Sequence, residues 1–341
     1  MKIDASMLTR NPGDAIALAK RLEDAGFDGV CTFEGPHDPF MPLVTAATNT
    51  SKVDLLTTIA VAFARNPMTV ANTAYDLQLL SEGRFILGLG PQIKPHIEKR
   101  YSMPWGKPIG RMREFVAALH AIWDSWETGE RLDFRGEYYT HTIMGPAFNP
   151  GPNPHGKPKV FLAGFGEKTV GMVGEIADGF LIHPVNSRKF LEEYSLPALK
   201  TGLDKSGRSL DDCETWCQVI TCMGNTPEQI EQNKVWTFRQ LAFYMSTPAY
   251  KPALDVHGWG DDIQPVLNKM SKEGKWDEMG EIITDEVFRT FVAIGTPEEV
   301  ADQIIERCDG LVDRVSPADY SSNVDLQIQL LEALKTRLSR K

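Results

Sequence analysis

The sequence predicts an α/β fold in which eight parallel strands, each followed by a helix, close into a (β/α)₈ barrel. Short apolar runs alternate with segments of helical periodicity along the whole chain. The apolar runs lack the strict alternation of half-exposed strands, as is typical of parallel strands buried on both faces. An open doubly wound sheet satisfies the same pattern, but eight units in 341 residues favour the closed barrel.

The strands are predicted where apolar and β-branched residues cluster between turn residues. One example is LLTTIAVAF at residues 55–63, which is rich in strand-forming residues and apolar on both faces. The eight predicted strands cover residues 3–5, 29–33, 55–63, 85–89, 159–163, 179–183, 214–223 and 311–315.

The helices are predicted from apolar residues at helical spacing and from residues typical of helix ends. Gly26 marks the end of the first helix, because glycine readily adopts the left-handed conformation found there. Thr226-Pro227 and Thr296-Pro297 each place threonine at the N-cap and proline at the first helical position. The predicted helices cover residues 14–25, 42–49, 67–80, 111–126, 169–176, 190–201, a segment from 227, 297–308 and 325–340.

Two stretches exceed a minimal barrel and are predicted to be loop insertions. Residues 131–158 contain GEYYTHT, which resembles a hairpin, followed by NPGPNPHG, which is rich in turn residues. Residues 246–289 are rich in tryptophan, glycine and charge. Neither stretch has the pattern of a separate core, so residues 1–341 are predicted to form a single domain.

Composition and charge exclude several classes of protein. The chain has 36 basic and 46 acidic residues, and its net charge of −10 argues against binding to nucleic acid or to an anionic membrane. The sequence has no run of about 18 apolar residues, which is the length that would predict a membrane span. The first ten residues, MKIDASMLTR, lack the pattern of a secretion signal, so we expect a cytoplasmic protein with a small-molecule substrate.

The five cysteines predict no metal site. Cys213, Cys217 and Cys222 lack the spacing of a structural zinc site. The odd number and the spacing of Cys31, Cys308 and these three are typical of buried thiols in a reducing compartment.

The segment that follows the predicted strand VFLA is a candidate anion site. Gly164-Phe165-Gly166-Glu167-Lys168-Thr169 places two glycines, a lysine and a threonine between a strand and the start of a helix. Glycines allow a ligand to approach the backbone, and free N–H groups at a helix start attract anions. The alternative is a tight turn with a threonine cap and a solvated lysine.

A candidate acid–base group follows the second predicted strand. Glu34-Gly-Pro-His37-Asp38-Pro supplies an imidazole and two carboxylates in a loop stiffened by two prolines. An imidazole can transfer a proton near neutral pH. The alternative is a loop in which these side chains bind backbone amides.

Two further strand ends carry residues that could contact a ligand. Gly90, Pro91 and Gln92 follow the fourth predicted strand, where a glycine allows a flat ligand to approach and Gln92 offers a donor and an acceptor. His183 ends the sixth strand, where packing is as good an explanation as ligand binding.

Three segments resemble the bacterial luciferase-like superfamily, and more closely its branch that depends on the deazaflavin coenzyme F420. They are GRFILGLG at 83–90, VFLAGFGEK at 160–168 and IADGF at 176–180. The resemblance spans about residues 1–315. It implies a TIM barrel, a flavin or deazaflavin in the barrel mouth, and a homodimer.

By position, the resemblance assigns the phosphate-binding loop of the family to Phe165, Gly166, Lys168 and Thr169. This agrees with the anion site predicted from the residues themselves. It also implies a cis peptide bond, not followed by proline, that backs the deazaflavin ring around Ala62-Phe63.

The family's strand-end Asp-His pair falls near Glu34 and His37, where Gly35-Pro36 separates the two residues. The Thr-Gly-Glu of the sugar-phosphate dehydrogenase branch is replaced by Pro91-Gln92-Ile93, which argues against that substrate.

The resemblance thus implies hydride transfer between coenzyme F420 and a small organic substrate, with His37 handling a proton and Gln92 contacting the ring. A monooxygenase that uses FMN and oxygen is the alternative on the same fold, since the fold alone does not decide chemistry. The separated acid–histidine pair also leaves open a barrel that binds the coenzyme without turnover.

Overall fold

The computed structural model describes residues 1–9, 11–321 and 323–340, and for residue 281 the backbone alone. The strands are β1 (Lys2–Ser6), β2 (Gly29–Thr32), β3 (Asp54–Thr57), β4 (Ala60–Val61), β5 (Phe85–Gly90), β6 (Phe134–Arg135), β7 (Thr140–His141), β8 (Lys159–Gly164), β9 (Gly179–Ile182), β10 (Glu214–Met223), β11 (Val292–Gly295) and β12 (Arg314–Asp319). The helices are α1 (Ala15–Ala25), α2 (Phe40–Ala47), α3 (Pro67–Leu80), α4 (Pro108–Thr128), α5 (Glu167–Ile176), α6 (Arg188–Phe190), α7 (Leu196–Lys205), α8 (Pro227–Ser246), α9 (Lys251–Asp255), α10 (Gly260–Lys272), α11 (Asp285–Phe291), α12 (Pro297–Cys308) and α13 (Val324–Leu338).

Eight strands form a closed parallel sheet in the order β1, β2, β3, β5, β8, β9, β10 and β12. The ring closes because β12 also pairs with β1, in the register Lys2 to Arg314 and Ile3 to Val315. These are the eight strands that the sequence predicts, so the predicted (β/α)₈ barrel is confirmed. Short strands extend the sheet at two places, β4 beside β5 and β11 beside β10.

Three strand predictions need correction. The strand predicted over 55–63 ends at Thr57, and β4 is followed by a 3-10 turn over Ala62–Ala64. The last strand begins at Arg314, three residues later than predicted, and ends at Asp319. The prediction missed β11, because its four residues directly follow a helix without a turn residue to mark them.

The first predicted insertion contains the expected hairpin, since β6 and β7 pair antiparallel with Phe134 opposite His141. The second differs from the prediction of a loop, because residues 246–289 contain α9, α10 and most of α11. Two of these helices have only five and seven residues, which is too short for a clear periodic signal in the sequence.

The predicted helix ends are confirmed. Gly26 caps α1 with φ of 92°, and the side chains of Thr226 and Thr296 accept hydrogen bonds from the third residues of α8 and α12. Thr296 and Glu299 form a reciprocal capping box. The two threonines satisfy N–H groups at helix starts, and the N–H of Gly26 satisfies carbonyl groups at the end of α1.

The chain divides into two compact units. Unit 1 comprises Met1–Ser6, Gly164–Gly171 and Leu181–Lys341, and unit 2 comprises Met7–Ala163 and Met172–Phe180. The core of unit 1 includes Leu241, Leu267 and Phe288 from the helices that follow β10. The prediction of a single domain over residues 1–341 stays a prediction.

Unit 2 has its own buried core, in which large side chains include Phe85, Phe115, Trp123, Trp126 and Phe161. All five cysteines are buried thiols, as predicted. No helix in the described part of the chain combines the length and apolar character needed to cross a membrane.

Candidate active site

In unit 1, the predicted anion-binding segment is an open turn between β8 and α5. Gly166 lies directly before the first helical residue, and its carbonyl accepts the N–H of Thr169 at 2.8 Å. A Cβ built on Gly166 meets no atom within 4 Å, so space is available beside this backbone. The first N–H groups of a helix have no partner within the helix, and they carry the positive end of its dipole.

The side chains around this turn favour an anion. Lys168 is exposed in the first turn of α5. The N–H of Glu167 donates to the hydroxyl oxygen of Tyr194 at 3.1 Å, which leaves the hydroxyl hydrogen available to another acceptor. The threonine-cap alternative does not describe this turn, because Thr169 lies within the helix and Gly166 precedes it.

His183 follows β9 in unit 1 and lies among aromatic rings. Its ring stacks on Tyr250 with 4.1 Å between centroids and meets Tyr244 and Phe165 edge to face at 4.8 and 5.6 Å. Burial lowers the pKa of His183 to about 3, so its imidazole is neutral at pH 7. The N–H of Val185 donates to Nδ1 at 3.2 Å, which places the ring proton on Nε2.

In unit 2, the carboxylate of Glu34 follows β2 and is almost fully buried. Its Oε2 accepts the N–H of Val61 at 2.7 Å and contacts the Arg65 guanidinium, and its Oε1 accepts the hydroxyl of Tyr101 at 3.0 Å. The backbone N–H of Glu34 donates to the carbonyl of Ile59 at 3.0 Å. Glu34 therefore joins the loop after β2 to residues 59–61.

Two arginines hold the loop that carries His37. Arg65 donates to Asp38 Oδ2 at 2.8 Å, and Arg100 donates to the carbonyl of Gly35 at 2.9 Å. The remaining Asp38 oxygen accepts the N–H of Phe40 at 2.8 Å. His37 is half-buried between these fixed points. No local pattern predicts the role of the two arginines, because they follow His37 by 28 and 63 positions.

Gly90 and Gln92 lie at the carboxyl end of β5. A Cβ on Gly90 would lie 2.6 Å from Ile59 Cδ1, so any larger residue here would displace the Ile59 side chain. Gln92 has a φ of 62°, and its Oε1 accepts the N–H of Ile93 at 3.0 Å. The side-chain amide nitrogen of Gln92 and the half-buried Pro91 remain available to a ligand.

The expected position of the cis peptide was wrong. The cis bond joins Thr58 to Ile59, four residues before Ala62-Phe63. β3 ends at Thr57 rather than at residue 63, so the residues that follow the strand end come earlier in the chain than predicted. Ala62 and Phe63 are fully buried, with the Phe63 ring packed under the Arg111 guanidinium, so their predicted coenzyme contact stays a prediction.

Sequence analysis also missed the aromatic side chains of unit 1. Tyr250 lies in the segment predicted as an insertion, and Tyr244 is on α8, where it reads as an ordinary core residue. Tyr244 and Tyr250 follow His183 by 61 and 67 positions, so only the fold brings their rings into contact with the ring of His183. No three or more His, Cys, Asp or Glu side chains among the described residues are arranged to hold a metal ion.

The chain combines a barrel with loops at its strand ends and an open turn before α5. Comparison with known protein families identifies the class of protein that has these features. Residues 2–314 match the luciferase-like monooxygenase family, and the chain belongs to that family. The predicted resemblance is thereby confirmed.

Relatives and solved structures agree with this assignment. An uncharacterized protein of Mycobacterium tuberculosis H37Rv is 50% identical over 320 residues, which cover 93% of each chain. The F420-dependent glucose-6-phosphate dehydrogenase of Nakamurella multipartita is 26% identical over 83% of this chain and 84% of its own. The coenzyme F420 dependent tetrahydromethanopterin reductase of Methanopyrus kandleri superposes with a TM-score of 0.79 at 21% identity, over 97% and 96% of the two chains.

Proposed function

We propose that the chain is a coenzyme F420-dependent oxidoreductase that transfers a hydride between the deazaflavin and a small organic substrate. The observation that carries the proposal is the open space at Gly166, beside the start of α5 and next to the N–H and the ammonium group of Lys168. Membership of a family whose relatives include F420-dependent enzymes supports the choice of coenzyme.

The residues at this turn fit the phosphate of such a coenzyme. The amides of Gly166 and Lys168, the Lys168 ammonium and the Tyr194 hydroxyl are all donors, and a helix start favours negative charge. Gly164, Phe165 and Thr169 complete the segment that we assign to the phosphate. When bound, a deazaflavin supplies a ring carbon that gives or accepts a hydride.

The protein's own part in the reaction is to orient the substrate and to handle a proton. We assign proton transfer to His37, which Arg65 and Arg100 hold in place through its loop. Glu34 acts by positioning this loop, because its oxygens already accept three donors. The predicted coenzyme contacts of Gly90, Pro91 and Gln92 stay predictions.

A monooxygenase that uses FMN is the second candidate. The name of the matching family supports it, and a phosphate-binding turn serves FMN as well as coenzyme F420. A homodimer and a cytoplasmic location stay predictions.

The proposal is tested by titrating the purified protein with coenzyme F420 and with FMN while fluorescence is recorded. Coenzyme F420 is expected to bind with a Kd in about the micromolar range and FMN at least tenfold more weakly. The opposite order would favour the monooxygenase, and no saturable binding of either would overturn both.

Two variants locate the bound phosphate. Gly166→Ala places a methyl group in space that the protein leaves empty, so it folds normally and is expected to weaken coenzyme F420 binding about tenfold. Gly13→Ala is the matched control, since its Cβ lies 3.4 Å from Asn11 in ordinary contact. Lys168→Gln is expected to weaken binding and to reduce its dependence on salt. Equal affinities in all three variants would contradict the assignment of this turn.

A further inference from the structure

The aromatic cluster of unit 1, which comprises Phe165, His183, Tyr244 and Tyr250, has the form of a binding site. Each of these rings is half-buried, so each keeps an edge or a face that the protein does not cover. His183 and Tyr250 stack at 4.1 Å with 23° between their planes, and the Phe165 ring meets Tyr250 edge to face at 4.8 Å. Flat, partly uncovered rings of this kind suit a planar ligand.

Two hydrogen-bond donors in the cluster lack a partner among the described residues. One is Nε2–H of His183, because the N–H of Val185 occupies Nδ1 and no other hydrogen bond reaches the ring. The other is the hydroxyl of Tyr250. Burial raises the pKa of that hydroxyl above its ordinary value, so it remains a protonated donor at neutral pH.

The neighbouring hydroxyl group differs in this respect. The hydroxyl of Tyr244 is hydrogen-bonded to Tyr320. Polar groups at mostly buried positions are normally paired, by protein, by water or by a ligand. The unpaired donors on two stacked rings therefore indicate where an acceptor atom of a ligand belongs.

The electrostatics of the cluster define the ligand further. Burial alone lowers the pKa of His183, with no contribution from a charged neighbour, so the imidazole is an uncharged donor. A site with uncharged donors and aromatic walls favours a carbonyl oxygen over a carboxylate, since a desolvated anion needs a positive partner.

We propose that His183 and Tyr250 bind the carbonyl oxygen of an uncharged, planar carbonyl compound, the substrate class of this enzyme. The inference rests on the proposed oxidoreductase function, because a carbonyl is the group that such chemistry forms or reduces. Phe165 and Tyr244 provide the walls against which the planar part of the compound packs.

The test uses 4-fluoroacetophenone, a small planar ketone, and 4-fluorobenzoate, its charged counterpart, as probes in ¹⁹F NMR titrations of the full-length protein. The wild type is expected to bind the ketone saturably and the benzoate at least about fivefold more weakly. Tyr250→Phe keeps the ring and removes the donor, so it is expected to weaken ketone binding about tenfold. Tyr138→Phe, which removes a hydroxyl in unit 2, is the matched control and is expected to leave the Kd unchanged.

Three outcomes would overturn the inference: no saturable ketone binding to the wild type, tighter binding of the benzoate, or the same ketone affinity in Tyr250→Phe and Tyr138→Phe. Coenzyme F420 is titrated into the same samples to separate this result from the proposed function. If the coenzyme binds and Tyr250→Phe does not change the Kd of the ketone, only the substrate assignment is wrong. If the ketone binds as expected and the coenzyme does not bind, the proposed coenzyme is wrong and the carbonyl site remains.

Discussion

Asp4 and Arg314 form a bidentate ion pair although they are 310 positions apart, with both nitrogen–oxygen distances 2.8 Å. Both side chains are fully buried. Arg314 lies opposite Lys2 in the pairing of β12 with β1, so the ion pair lies where the last strand meets the first. The Trp216 indole N–H also donates to Asp4 at 3.0 Å, and Arg314 contacts Glu214 at 3.2 Å, so the buried charges are well satisfied.

Loss of either partner should leave a buried charge without compensation. We expect Asp4→Asn and Arg314→Met each to lower the free energy of unfolding by about 3–5 kcal/mol. The double variant should lose no more than the larger single loss, because both charges are then gone. Urea unfolding followed by circular dichroism measures all three. Strictly additive losses would contradict the view that these two charges stabilise one another.

Arg65 should control the order of the loop that carries His37. Its guanidinium contacts Glu34 and Asp38 and also donates to the carbonyl of Val61 at 3.1 Å. Arg65→Gln should increase hydrogen exchange at the amide of Val61 and at residues 34–38 about tenfold or more, because one residue ties both segments. Arg239→Gln, which removes an exposed arginine paired with Asp277, is the control. Unchanged exchange in Arg65→Gln would show that the loop is held by other contacts.

The periodic features of the fold were predictable from the sequence. The eight strands of the ring and the capped helices follow from local residue patterns, which operate over four to ten positions. The end of β3 was not predictable, because residues 59–63 continue the apolar run while the backbone leaves the sheet after Thr57 and returns to it only at β4. That error moved the expected cis peptide to Ala62-Phe63.

A part of the candidate site was predictable from the sequence only where all the residues of that part lie in one continuous segment. The turn at Gly164–Thr169 was found because its glycines, lysine and helix start are contiguous. The pairing of Glu34 with Arg65 and Tyr101, and of His183 with Tyr250, depends on contacts between distant segments. Hydrogen bonds and ring contacts of this kind leave no periodic trace in a single sequence.

His37 should affect turnover without affecting coenzyme binding. Oxidation or reduction of coenzyme F420 is followed by absorbance with a panel of alcohols, enones and pterins as substrates. With any substrate that the wild type accepts, His37→Ala should lower kcat about 100-fold or more, within the range of general acid–base catalysis. The Kd of the coenzyme should stay within about twofold. Weaker coenzyme binding with unchanged turnover would refute the proton-transfer role.

The neutral state of His183 should make folding sensitive to acid. The ordinary pKa of histidine is 6.5, and burial lowers that of His183 to about 3. Below pH 6.5 the unfolded chain binds a proton at this residue that the folded chain does not, so the free energy of unfolding falls as the pH decreases from about 6.5 to about 3. Between pH 7 and pH 5 this single group should account for up to about 2 kcal/mol. His183→Phe keeps a ring against Tyr250 and cannot titrate, so urea unfolding at both pH values should show a loss that is smaller by this amount than in the wild type. An identical loss in the two proteins would mean that His183 accepts a proton in the folded state.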